Sequence, residues 1–391
     1  MSDPTRPLAG LRVAYAAFDP FPNRKGSGTR IAQLVRGLTR AGAHVTLLTL
    51  PPTSSDAAPD GVELRPLRIV EDNFLARALA FAERVRREVI ALRPDLVHFR
   101  GPFEGSALTT PFSTRAVPAV FEVNGLPSVE LRYHYPALRE APTLEYKLRQ
   151  LELAVLGRAA AVVTQSHATA RFLRLRAGPG PEPLVIPNGA DPRLTGSPPP
   201  SSVLRLLYAG TLAPWQGLDD LLAAVGRVSR TRDVRLDVVG FGQKRWRRTL
   251  VRRARRLKIG DCVSFEHAVA RDELAERIEQ SDVCVAPLPR DRRNRLQGSS
   301  PIKVFEYMAS GRAVLATDLP CLREIITDGE TGLLARASSP RLLAGRLEEL
   351  AASGALRQAL GHRARVAIEH GATWDHRRAE LVRGYRRLLE G

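Results

Sequence analysis

At 391 residues, with 44% apolar and 26% charged side chains, the chain is long enough for two or three domains with real cores and too apolar to be disordered. Lys and Arg outnumber Asp and Glu by 59 to 41, a formal charge of +18, which fits an anionic partner (nucleic acid, anionic lipid, or sugar nucleotides with phosphorylated acceptors) or an arginine-rich composition bias, and charge alone does not choose. There is no apolar run of ~18 residues and no signal-peptide pattern, and Cys262, Cys284 and Cys321 lack metal spacing, so a reducing, cytoplasmic residence is expected, or a peripheral one on the cytoplasmic face of a membrane.

In chain order, Leu11 to Ala17 reads as a buried strand and Phe18 to Gly28 as a long Pro- and Gly-rich loop. Thr29 to Arg40 has helical periodicity through Ile31, Leu34, Val35 and Leu38, and Val45 to Leu50 is the next strand. Such an opening is a doubly wound unit, with ligand space at the carboxyl end of its first strand. Phe74 to Leu92 is an amphipathic helix, and Leu96 to Phe99 a strand ending in His98 and Arg100, after which Gly101 to Gly105 loops away. For His98, a hydrogen-bonded core role and a site role both stay open. Ala119 to Val123 is a strand leading into Asn124-Gly125-Leu126-Pro127-Ser128. Tyr133 to Pro136 and a helix from Pro142 to Gly157 offer aromatic and basic side chains for a ligand ring to stack on, or simply pack, and Ala160 to Thr164 is a further strand. Asn188-Gly189-Ala190-Asp191 is turn chemistry, and the Pro- and Ser-rich residues 192–202 read as a linker between domains, 1–191 and 203–371.

The second domain restarts with a strand at Arg205 to Tyr208, a loop from Ala209 to Gly217 and a helix from Leu218 to Ser229. After the strand Leu236 to Val239, Gly240 and Gly242 permit close backbone approach to a ligand. The following helix carries Trp246, Leu250, Ala254 and Leu257 on one face and arginines elsewhere, which is a solvated surface or a contact for anionic lipid headgroups. Val263 to Phe265 and Val283 to Pro287 are strands. Ser299 and Ser300 are cap candidates, and Pro301 suits the first turn of the helix that follows. Val304, Phe305 and Met308 form its apolar face, Gly311 stops it, and Ala313 to Ala316 is a buried strand. A helix N-terminus bearing a lysine, Lys303, is an anion site, and Glu306 about one turn on can accept bonds from sugar hydroxyls. Leu342 to Leu360 and Trp374 to Leu389 are predicted helices.

Ser300-Pro301-Ile302-Lys303-Val304-Phe305-Glu306-Tyr307-Met308-Ala309-Ser310-Gly311-Arg312, with Arg323-Glu324-Ile325-Ile326 and Asp328-Gly329-Glu330-Thr331-Gly332-Leu333-Leu334, resembles the donor-binding segment of retaining GT-B glycosyltransferases of family 4, the group 1 type. The resemblance implies an α/β GT-B architecture: two doubly wound Rossmann-like domains facing a cleft, with the C-terminal helix of 372–391 crossing back to the first. It implies transfer of a sugar from a nucleoside diphosphate to a saccharide or lipid-linked saccharide, with retention and with neither metal nor cofactor. On this likeness the donor is held by Gly210, Thr211, Gln216, Gly240, Gly242, Ser300, Pro301, Ile302, Lys303 and Glu306. Gly26, Ser27 and Gly28 match the glycine-rich loop near sugar and acceptor, and Asn124, Glu122 and His98 are the catalytic candidates.

The likeness has gaps. Asn124 stands where the family usually has a histidine, Thr211 and Gln216 where it often has cations, and Gly298 where it has a first glutamate eight positions before Glu306. A noncatalytic sugar-nucleotide-binding protein, and an epimerase of the same architecture, therefore remain alternatives. A dehydrogenase would need Gly-x-Gly-x-x-Gly directly after the first strand, which is missing, and no nucleic-acid motif accompanies the positive charge, so no nucleic-acid partner is expected.

Overall fold

The computed structural model describes residues 6–110, 117–178, 182–192 and 201–390. The chain forms two units, Met1–Pro187 with Trp374–Gly391, and Asn188–Thr373. Each is built on one parallel sheet. In the first, strands β1 (Arg12–Pro20), β2 (His44–Leu50), β3 (Val62–Pro66), β4 (Leu96–Phe99), β5 (Ala119–Val123), β6 (Ala161–Thr164) and β7 (Leu184–Val185) lie in the order β3-β2-β1-β4-β5-β6-β7. In the second, β8 (Leu204–Ala209), β9 (Val234–Val239), β10 (Val263–Glu266), β11 (Val283–Ala286), β12 (Ala313–Asp318) and β13 (Leu333–Arg336) lie in the order β10-β9-β8-β11-β12-β13. Both are α/β folds of the doubly wound, Rossmann-like kind.

The central strands are largely apolar, as expected of parallel sheets covered on both faces, while the edge strand β3 (Val-Glu-Leu-Arg-Pro) is not buried. β11 reads Val-Cys-Val-Ala and all four residues are buried. In both sheets chain order reverses beside the first strand, between β1 and β4 and between β8 and β11. Loops leaving the carboxyl ends of those two strands diverge, and the crevice they leave is where such folds hold ligands.

The terminal helix Trp374–Glu390 belongs to the first unit and lies on the helix Gly26–Arg40. Trp374, Leu381 and Tyr385 are its buried anchors. A Cβ on Gly37 would come 2.9 Å from Cβ of Arg378, so a residue without a side chain is what lets the two helices meet. The division between the units falls at Pro187/Asn188, four residues before the expected one, and 193–200 of the expected linker lie outside the described residues.

Several local expectations are corrected. β1 runs to Pro20, and the helix after it begins at Gly26, so Gly26, Ser27 and Gly28 form a first helical turn and not a loop. The segment after β4 is a helix, Pro102–Leu108, and a second short helix, Pro127–His134, follows β5; each has proline in its first turn, where a missing N–H is harmless. The region 342–360 is two helices, Pro340–Ala352 and Gly354–Gly371, because Ser353 leaves the helical conformation and its hydroxyl caps the second by accepting from Leu356 N.

Candidate active site

In the second unit, the residues singled out from sequence gather at the carboxyl ends of β8, β9 and β11. The helix Ile302–Ala309 buries Val304, Phe305, Tyr307 and Met308. The Tyr307 hydroxyl accepts from Ala209 N at 2.8 Å, which fixes the end of β8 against this helix. One residue on, Gly210 has φ +139°, and a side chain there would meet Lys303 Nζ at 2.9 Å.

Lys303 ends in a small, fully specified box. Its Nζ donates to Gln216 Oε1 at 2.8 Å and stands 4.0 Å from the centre of the Tyr208 ring. The Tyr208 hydroxyl is 2.7 Å from the Thr211 carbonyl oxygen and 3.1 Å from Gln216 Oε1, with one proton for the two acceptors. Burial pushes the Lys303 ammonium down to about 7, against the pull of Glu306. Glu306, three residues on and so on the same helix face, has Oε1 4.0 Å from the guanidinium of Arg271.

Three expectations about this segment change. Ser300 does not cap the helix: its hydroxyl accepts from Asn188 N at 3.0 Å and its carbonyl from the Asn188 side chain, while Pro301 is the residue preceding the first turn. The glycines Gly240 and Gly242 make room for neighbouring backbone. A Cβ on Gly240 would lie 1.7 Å from the Gly210 carbonyl oxygen, and one on Gly242 2.5 Å from that of Leu212, so the loops after β8 and β9 press on each other. Ile302 is half-buried and Thr211 offers its carbonyl rather than its hydroxyl.

In the first unit, Glu122 and His98 have no exposed surface. Glu122 is the hub of a buried charge cluster. Its Oε1 accepts from Arg30 Nε at 2.5 Å and from Asn124 Nδ2 at 3.0 Å. Its Oε2 accepts from the Tyr15 hydroxyl, lies 3.1 Å from His98 Nε2 and is 3.4 Å from Arg100 Nε. Arg30 also donates to the Ile186 carbonyl at 3.0 Å, and Arg100 to Asp19 at 2.8 Å. His98 stacks on Tyr15, ring centres 4.3 Å apart, and its Nδ1 pairs with the Tyr385 hydroxyl at 2.6 Å. Burial would raise the Glu122 carboxyl, but Arg30 and Arg100 outweigh it and hold it well below the carboxylate range. Burial keeps His98 neutral by lowering its imidazole.

This corrects the catalytic assignment. Glu122 and His98 reach no solvent, so of the two roles open to His98 the hydrogen-bonded core role is the one it fills, and both residues act by holding others. Asn124, half-exposed at the end of β5, is what Glu122 holds. Gly28 is buried because a Cβ there would come 2.4 Å from the Asn23 carbonyl oxygen, while Gly26 and Ser27 keep some exposure on the first turn. Sequence reading missed Arg30, Tyr15 and Tyr385. Arg30 had a signal: it lies one helical turn before Leu34, in the buried stripe.

Against this geometry, the comparisons decide the family. Residues 24–194 match the model of Glycosyltransferase Family 4, and residues 204–353 the model of Glycosyl transferases group 1. The chain belongs to the family 4 glycosyltransferases. It is 27% identical over 409 residues to the D-inositol 3-phosphate glycosyltransferase of Streptomyces bingchenggensis, covering 93% of this chain and 86% of that one. Its fold matches sucrose-phosphate synthase of Thermosynechococcus elongatus with a TM-score of 0.82 at 20% identity, over 97% and 99% of the two chains. HepE of Anabaena, in a structure with UDP-glucose, matches with a TM-score of 0.72 at 16% identity, over 96% and 99%. This glycosyltransferase of GT-B fold is thus a sugar-transferring enzyme. Among its described residues no helix is long and apolar enough to cross a membrane.

Proposed function

We propose that the enzyme moves a sugar from a nucleoside diphosphate donor bound by the second unit to a saccharide or lipid-linked saccharide presented to the first, with retention and without metal or cofactor. The observation that carries this is the placement of Lys303 and Glu306 on one helix face beside the switch point of the second sheet, with Gly210 opening the space around Lys303 Nζ. The lysine meets the diphosphate charge that grows as the sugar bond breaks, and Glu306 accepts from the ribose hydroxyls. Asn124, half-exposed and held by Glu122, is then the group of the first unit that we assign to face the sugar. UDP-glucose in the Anabaena relative makes uridine donors the first to try, and the phosphorylated inositol named for the Streptomyces relative fits a chain of charge +18. The same charge, concentrated on the helix Lys244–Arg256, supports residence at an anionic membrane surface on the cytoplasmic side.

The test is thermal stabilisation by UDP-, GDP-, ADP- and TDP-sugars. A ligand at about 100 times its Kd adds about 2.7 kcal/mol, which wild type should show with one base and Lys303→Ala and Glu306→Ala should lose. No stabilisation by any of them rejects the donor site. Stabilisation without turnover on any acceptor supports the noncatalytic alternative instead.

A further inference from the structure

Two cations are expected to face the diphosphate in the loop after β8, and this chain has Thr211 and Gln216 there. The structure gives Gln216 a definite occupation. Its Oε1 is the acceptor for Lys303 Nζ, at 2.8 Å, and lies 3.1 Å from the Tyr208 hydroxyl. The backbone that carries it is clamped from both sides. Before it, the Trp215 carbonyl accepts from the buried Asn294 side chain at 3.0 Å, and Asn294 belongs to the π-turn Arg293–Gln297. After it, Gly217 has φ +73° and sits so tightly that a Cβ would lie 1.7 Å from the Pro287 carbonyl oxygen. A side chain held this firmly by neighbours on both sides is positioned, not incidental.

We propose that Gln216 is a positioning residue for the donor site: a neutral acceptor that keeps the Lys303 amine over the Tyr208 ring, at the place where it meets the diphosphate. The inference rests on the donor-site reading given above. It assigns Gln216 the task of directing the Lys303 ammonium by an amide. A second cation at 216 would repel Lys303 before the donor binds; an amide orients it without charge.

The environment adds a proton to the account. Lys303 is pushed down to about 7 by burial, and the charge acting on it is Glu306, on its own helix, itself 4.0 Å from Arg271. β8 contributes Tyr208, whose hydroxyl burial pushes up, far from ionising at neutral pH. β11 and β12, which pack against the helix, carry apolar side chains, the buried Cys284 and Thr317, and Asp318, which is paired with Arg323, and the Gly354–Gly371 helix buries Leu360, Ala364 and Ile368. Before the donor binds, the amine is therefore partly discharged at neutral pH. An arriving diphosphate raises its proton affinity, so binding takes up a proton and weakens as pH rises above about 7.

The experiment is calorimetric titration of the full-length enzyme with UDP, GDP and ADP at pH 6 and 8, in buffers of different ionisation heat. Ligand-free competitive labelling of the Lys303 amine is followed alongside by mass spectrometry. Wild type should bind one diphosphate with proton uptake at pH 8. Gln216→Leu should bind it about ten- to a hundredfold more weakly, the value of a hydrogen bond to a charged group, and its labelling midpoint should fall. Gln216→Glu, the same shape with a charge, should move that midpoint above wild type and abolish proton uptake at pH 8. An unchanged midpoint in Gln216→Glu, or wild-type affinity at both pH values in Gln216→Leu while Lys303→Ala loses binding, overturns the role of Gln216 and leaves the donor site standing. If wild type binds none of the three, or Lys303→Ala binds as wild type does, the donor-site reading falls and this inference falls with it.

Discussion

Replacing Glu122 by glutamine should destabilise the first unit severely, although the shape of the side chain is kept. In wild type the carboxylate lies among Arg30, Arg100, Tyr15, His98 and Asn124, all buried or partly so. Its charge and that of Asp19 balance the two guanidiniums. Glutamine removes one negative charge from a site without solvent and turns one acceptor oxygen into an NH2 group that faces donors. Breaking a buried pair by removing one partner costs about 3–5 kcal/mol, because the other charge is left uncompensated. For a unit of this size each kcal/mol is worth about 2–4 °C, so the thermal midpoint should fall by about 6–20 °C. Circular dichroism melts at pH 7 measure it. The double variant Arg30→Met with Glu122→Gln removes the stranded cation and should lose less than the two single variants together. The pH dependence has a definite sign. Glu122 is held well below its ordinary value, so its stabilisation is present above the unfolded carboxylate range and is lost as pH falls through the lower folded value. The gap between wild type and Glu122→Gln should therefore persist from pH 7 down past pH 4.5 and close only in stronger acid. A midpoint within 2 °C of wild type at pH 7 would refute the argument that this cluster is held by charge.

Glu104 titrates the opposite way. Its Oε1 accepts from Gly101 N at 2.7 Å, and burial pushes the carboxyl up to about 7. The native state then holds a proton that the unfolded chain releases above pH 4.5, so stability falls as pH rises from 4.5 to 7, by an order of about 3 kcal/mol. Glu104→Gln should lack this slope in urea unfolding at pH 5 and pH 8, and equal slopes in the two proteins would dismiss the shift. On the helix Lys244–Arg256, Leu250 and Ala254 are buried and no cation forms an ion pair with a carboxylate among the described residues. Replacing Arg248, Arg252 and Arg255 by serine should weaken sedimentation with anionic liposomes about a hundredfold at low salt, at ~1 kcal/mol per charge. Wild-type sedimentation that ignores both salt and these substitutions would make the helix ordinary surface.

Much of this protein was legible as pattern. Phe74–Leu92, Leu96–Phe99 and Ala119–Val123 lie where periodicity and apolar runs place them, because a parallel sheet buried on both faces leaves no freedom in which residues its strands use. The Lys303-x-x-Glu306 face follows directly from helical spacing. What escaped was everything decided by meetings between distant segments. Arg30 meets Glu122 across 92 residues, His98 meets Tyr385 across 287, and Ser300 meets Asn188 across 112. No local rule distinguishes a serine that caps its own helix from one that accepts a bond from another loop.

Gly240 shows where the boundary lies. The sequence marks a position after a strand that tolerates no side chain, and that much is right. It does not say what occupies the space, and a ligand was the natural candidate at the carboxyl end of a doubly wound sheet. The occupant is the carbonyl of Gly210, whose own left-handed conformation aims its missing side chain at Lys303. The two glycines therefore act in series: Gly240 lets the loop after β8 settle, and the settled loop lets the lysine reach its box. A requirement for glycine can be read one residue at a time, but its purpose belongs to the pair of loops, and only there does Gln216 become the partner of Lys303 instead of a missing cation.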